Sequence, residues 1–155
     1  MKTLDRLLES VLVLLMIGLV FDVVWQVFAR YVLQNPSSFT DELARYLLIW
    51  VGYLGAAYGT GKKVHLAIDI LASKLTTRRL GVLHRNSVAL LIISFAFLVL
   101  VIGGGRLVYI TVILEQSSSA LGVPLGLVYS VIPLSGMLII TYCMNEIFES
   151  RVEMN

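Results

Sequence analysis

Two charges sit where charge is costly. Asp22 lies inside an apolar stretch at about 7–30, and Arg106 inside another at about 87–114. An ionised group in hydrocarbon costs roughly 2.5 kcal/mol or more unless it is paired or hydrated. An acid there could carry a proton, and an arginine there could neutralise the acid. At 1.5 Å per residue, Asp22 falls about 12 Å short of the end of its stretch near Arg30. Arg106 falls about 13 Å short of Glu115 by the same count. On helices of the same direction the two charges share a depth, so an intramembrane Asp22–Arg106 pair is expected. Snorkelling of Arg106 to the interface, a separate partner chain for each charge, and proton carriage by Asp22 stay open. Asp22, Gln26 and Ala29/Arg30 recur every three or four residues. That polar stripe should face protein rather than lipid.

A second set of charges brackets another apolar run, from Tyr46 to Gly61. Asp41, Glu42 and Arg45 form a collar before it, and Lys62, Lys63, His65 and Asp69 follow it. Acids at a helix start are favoured by the positive end of the dipole. The collar is therefore either a solvated helix start or a surface for another chain. His65 and Asp69 stand at i, i+4, close enough for a structural hydrogen bond, with a proton relay as the alternative. The two histidines, His65 and His84, share one connection between apolar runs, which is no arrangement for axial haem ligands within the spans. The lone Cys143 cannot form an intramolecular disulfide or a cysteine cluster. It is expected as a small buried apolar residue. No metal cluster, phosphate loop or nucleophile–base pair is visible. The expectation is no enzyme and no cofactor on this chain.

The elements that must hold these charges are membrane helices. The 155 residues are 58% hydrophobic and 14% charged, with mean hydropathy +0.89. A soluble domain carries roughly 25% charged residues, so an integral membrane protein is expected. Four stretches, at about 7–30, 41–61, 87–114 and 125–147, approach the ~20 residues a helix needs to cross the hydrocarbon. Alternating strands of a closed barrel are not seen. The fold class is all-α, four transmembrane helices in a single domain over 1–155. Lys2 and Arg6 precede an apolar run as in a signal peptide. No small-residue cleavage site follows, so the run is read as a retained first helix.

Lysine and arginine set the direction. With the N-terminus inside, Lys2, Arg6, Lys62, Lys63, Lys74, Arg78, Arg79, Arg85 and Arg151 are cytoplasmic. Arg30 and Arg45 are then the outer pair, so nine against two places both termini in the cytoplasm. The inner connection at about 63–79 has Val64, Ile68, Leu71 and Leu75 on one helical face, as an amphipathic helix in the interface would. Val64, Leu66, Ile68 and Ile70 also alternate, so a short extended piece stays open. Arg78, Arg79 and Arg85 would suit lipid headgroups. Gly52, Gly55 and Gly59 make a small-residue face on the second helix, and Gly103-Gly104-Gly105 thins the third. Pro133 should kink the fourth. A net charge of +2 gives no reason to expect nucleic acid.

Several pieces in order resemble the small membrane subunit of the tripartite ATP-independent periplasmic (TRAP) transporters. Arg30-Tyr31-Val32 closes the first helix. Phe39-Thr40-Asp41-Glu42-Leu43-Ala44-Arg45 is similar to the family's aromatic–Thr–acid–Glu–Leu–x–Arg start of the second helix. Trp50, Gly55 and Ala56 follow at the family's spacing, and His65-Leu66-Ala67-Ile68-Asp69 resembles its His–x–x–(Val/Ile)–Asp segment. Leu121-Gly122-Val123-Pro124, with Tyr129, Pro133 and Gly136, is similar to its fourth helix. Phe39 and Asp41 stand where many members have Trp and Glu, both conservative departures.

The resemblance implies a subunit rather than a transporter. A large multi-helix membrane subunit would carry the substrate and sodium sites, and a periplasmic binding protein would deliver an organic acid, such as a sialic acid or a dicarboxylate. This chain would widen the static scaffold in the bacterial inner membrane, as a polypeptide separate from the large subunit. Asp41, Glu42 and Arg45 would contact a partner, Trp50 would anchor packing with Gly55 nearby, and His65 and Asp69 would fix the inner connection. A specific lipid could fill the subunit interface. The competing classes are a four-helix proton-coupled exporter with Asp22 as carrier and an anchoring subunit of another membrane complex.

Overall fold

In hydrocarbon a backbone must satisfy its own polar groups, so the apolar stretches have little choice but to coil. A computed structural model of the chain describes residues 2–35, 37–62 and 78–152. Among these residues there are helices and no strands, apart from one antiparallel bridge between Ser117 and Pro124. The first helix, α1, is Lys2–Tyr31, and α2 is Ser38–Gly61. Next comes α3, Arg78–Phe95, which runs into a π-helical segment, Ala96–Gly103, and then α4, Gly104–Ile113. The last stretch is split into α5, Leu125–Tyr129, and α6, Val131–Val152.

Three helical rods are long and apolar enough to cross a membrane: Thr3–Tyr31, Asn86–Ile113 and Leu125–Phe148. The second helix is not among them. Its 24 residues would reach about 36 Å, but the collar, the tyrosines and the glycines dilute its apolarity. The third helix starts at Arg78, ahead of the apolar stretch expected from 87. Hydropathy marks the length that meets hydrocarbon, and a helix can continue past it into a charged head. Of the expected interfacial segment at about 63–79, residues 63–77 lie outside the described residues, and 78–79 open α3.

The break in the last rod has a local cause. Pro133 has no N–H to give the carbonyl of Tyr129. The helix parts one turn earlier, at Ser130, whose hydroxyl donates to the carbonyl of Leu127 at 2.7 Å.

Packing follows a chain of neighbours. α1 packs on α2, α2 on α5 and α6, and those two on the rod formed by α3, the π segment and α4. α1 makes no helix–helix contact with the π segment or α4. Leu8, Leu54, Val131 and Tyr142 form one buried cluster that joins α1, α2 and α6. Ala57, Ala96, Ile139 and Cys143 form the other. Cys143 is buried and free, the small core residue expected of it. The rods Asn86–Ile113 and Leu125–Phe148 approach closely because glycines let them. A Cβ on Gly104 would lie 2.6 Å from Ile132, one on Gly126 2.5 Å from Val112, and one on Gly136 2.7 Å from Leu100. At the other side of the bundle, the Tyr142 hydroxyl donates to Asp5 Oδ1 at 2.6 Å and ties α6 to the start of α1.

Candidate functional site

The collar is built from the first turns of α2, ahead of its apolar run. Glu42 points its carboxylate at the loop between α4 and α5. The Ser118 hydroxyl and the backbone N–H groups of Ala120 (2.9 Å) and Leu121 (3.1 Å) donate to its Oε2. The Ser119 hydroxyl donates to Oε1 at 3.3 Å. Leu121 N–H also reaches Ser118 Oγ at 3.1 Å, so serine and glutamate share the work of folding the loop. Hydrogen bonds to an ionised acceptor are shorter and stronger than neutral ones. The negative charge is thus met by four donors of the same chain.

Asp41 is held by Arg45 one turn on, in an ion pair on the helix surface. It also accepts from Gln26 Nε2 at 3.1 Å, which ties α1 to α2. Trp50 lies on α2, one turn and more beyond the collar. Its indole N–H donates to the carbonyl of Val128 at 3.1 Å, beside the break at Ser130. Arg45 is exposed, and Gly55 sits where an added Cβ would touch nothing within 4 Å. Gly52 and Gly59 share that open surround. The structure therefore brings Asp41, Glu42, Arg45 and Trp50 into one set of ties within the chain, while Gly55 faces away from it. His65 and Asp69, and the side chains of Arg78, Arg79 and Arg85, lie outside the described residues.

The Asp22–Arg106 pair does not form. Asp22 is 5% exposed, and its Oδ2 has no hydrogen-bond partner. Gly18, one turn before it, faces Leu47 of α2 at 3.9 Å, and Gln26, one turn after it, reaches Asp41. The polar stripe of α1 therefore faces protein, as expected, and that protein is α2. Arg106 is exposed on α4. A shared depth says nothing of lateral order, and α1 does not pack on α4.

Two groups carry weight that sequence reasoning did not give them. The Ser117-Ser118-Ser119 run reads only as a turn former. Its partner Glu42 stands 76 residues from Ser118, with no local signal to link them. Gln26 was part of a stripe, but its acceptor Asp41 could not be chosen from spacing. Among the described residues no group of three or more His, Cys, Asp or Glu could hold a metal ion.

The family of "Tripartite ATP-independent periplasmic transporters, DctQ component" matches residues 19–152. A protein of Haemophilus influenzae described as a TRAP transporter small permease is 28% identical over 138 residues, covering 89% of this chain and 81% of its own. The sialic acid TRAP transporter small permease SiaQ of Vibrio cholerae is 30% identical over 100 residues. That match covers 64% of this chain and 58% of SiaQ. The chain belongs to the DctQ family of TRAP transporter small permease components, and it is a transporter component rather than an enzyme.

Proposed function

We propose that this chain is the scaffold subunit of a sodium-coupled importer of organic acids in the bacterial inner membrane. It crosses the membrane four times, with both termini in the cytoplasm. It packs against a large multi-helix membrane subunit that holds the substrate and sodium sites, and a periplasmic binding protein delivers the substrate. The observation that carries this reading is where the chain spends its polar groups. Glu42 holds the α4–α5 loop, Asp41 holds Gln26 and Arg45, Trp50 holds Val128, and Tyr142 holds Asp5. These contacts lock helices to one another instead of lining a path. Meanwhile Gly52, Gly55 and Gly59 have no neighbour, and small residues on a helix surface admit another helix closely.

The sialic acid specificity named for the Vibrio cholerae relative supports a carboxylated sugar as one candidate substrate. The exporter alternative gains one point and loses a larger one. Asp22 is not tied up by Arg106, so pairing no longer argues against proton carriage. Its carboxylate is, however, shut against α2, and the family is one of TRAP transporter components rather than of stand-alone exporters. The test is uptake in a strain lacking this chain. Uptake of the organic acid should require this chain together with the large subunit. Uptake by the large subunit alone at the full rate would remove the scaffold role.

A further inference from the structure

Arg106 faces out of the bundle from a rod that is apolar enough to cross the membrane. Its neighbours on that side, Ile102, Tyr109 and Ile113, are each more than half exposed. Among the described residues no carboxylate pairs with it, and the one acid at comparable depth, Asp22, is walled in against α2. A charge in this position needs a counter-ion, and the described residues supply none.

We propose that Arg106 is the seat for a carboxylate carried by a helix of the large membrane subunit, paired inside the membrane. The proposal rests on the scaffold reading above and names the contact it requires. Position favours a protein partner over a lipid phosphate. Arg106 lies seven residues before Ile113, the end of the rod, which is about 10 Å at 1.5 Å per residue. The other end, Asn86, is about 30 Å away. Helical side chains lean toward the helix N-terminus. Arg106 therefore leans away from the nearer interface and toward the middle of the rod.

On that side, one turn before it, stands Gly103. It is exposed, and a Cβ there would meet nothing closer than a carbonyl of its own helix at 3.7 Å. A partner backbone can come close at Gly103 and present an acid to the guanidinium above. The planar fork of arginine suits a carboxylate in two parallel hydrogen bonds.

The test is co-purification of a tagged large subunit, co-expressed with the wild-type chain or with R106K, R106L or R106E. The large subunit recovered with R106E should fall about tenfold or more, as for loss of one member of a desolvated pair. R106L should also lose it, while R106K should stay within about threefold of the wild type. R106L replaces a charge with an apolar group on an exposed face, so its thermal transition in detergent should match the wild type. Replacing the partnering acid in the large subunit by arginine should restore recovery with R106E. Full recovery with R106L overturns the proposal, and loss of a bound phospholipid from that variant would identify a lipid phosphate as the counter-ion instead. Failure of every intramembrane acid exchange to rescue R106E overturns it as well. A wild-type chain that recovers no large subunit overturns the scaffold reading itself, and the pairing with it.

Discussion

The chain carries two sets of membrane glycines, and they do opposite things. Gly104, Gly126 and Gly136 sit in the seam between the rods Asn86–Ile113 and Leu125–Phe148, where a Cβ would collide with Ile132, Val112 or Leu100. Gly52, Gly55 and Gly59 sit on α2 with open space around them. By residue type the two sets are alike. The difference is that one seam has been closed by folding, and the other face is left for something outside the chain or for lipid. The same contrast runs through α2 itself. Its inner side spends Glu42 and Trp50 on the chain's own loop and helix break, and its outer side spends nothing.

The sharpest way to break this comparison is to add one carbon in the seam. Gly136→Ala would place a Cβ 2.7 Å from the Cβ of Leu100, which is not the free end of a flexible side chain. The rods must separate, and overpacking of this kind costs about 1–3 kcal/mol. A thermal melt of the purified protein in detergent should show the loss. An unchanged melt would mean that the seam is looser than its geometry.

The latch at the collar comes next. Glu42→Ala removes the acceptor of two hydroxyls and two backbone N–H groups. Hydrogen exchange at Ala120 and Leu121 should accelerate roughly tenfold, while exchange in α6 stays as it was. Equal protection in the variant would show that the loop folds without the glutamate.

Trp50→Phe keeps one aromatic ring but deletes the rest of the indole together with the donor to Val128. The expected cost is about 1 kcal/mol in the same melt, the worth of one neutral hydrogen bond. A cost as large as that of the seam variant would mean that the ring, not the N–H, is what α5 needs.

The smallest effect belongs to the open face. Gly55→Ala meets no neighbour, and alanine is the better helix former by about 1 kcal/mol. The isolated chain should melt at or slightly above the wild-type temperature. A marked destabilisation would show that this face is already in use within the chain.

How much of this was legible depends on distance along the chain. The helical stretches, the breaking effect of Pro133 and the inward turn of the α1 stripe all follow from local periodicity and side-chain chemistry. The π segment at Ala96–Gly103 has no comparable signature, since an i→i+5 ladder leaves no pattern in an all-apolar run. The Asp22–Arg106 pair failed for a plain reason. Hydropathy gives depth in the membrane but not which helices are neighbours, and α2 is the wall that Asp22 meets. Sequence leaves Glu42 as a partner contact or a solvated helix start, and it cannot show that a loop brought near only by the fold fills its acceptor sites. Whether a given glycine is closed or open is likewise a property of the neighbours it meets.

The central claim is that this chain is a rigid scaffold completed by a larger membrane subunit. The most direct test is to purify the tagged chain from membranes that also express the large subunit, and to determine what accompanies it and in what ratio. The account predicts one large subunit per copy of this chain, in a complex that supports uptake when reconstituted with the binding protein. A homodimer that moves substrate with no other subunit present would contradict it.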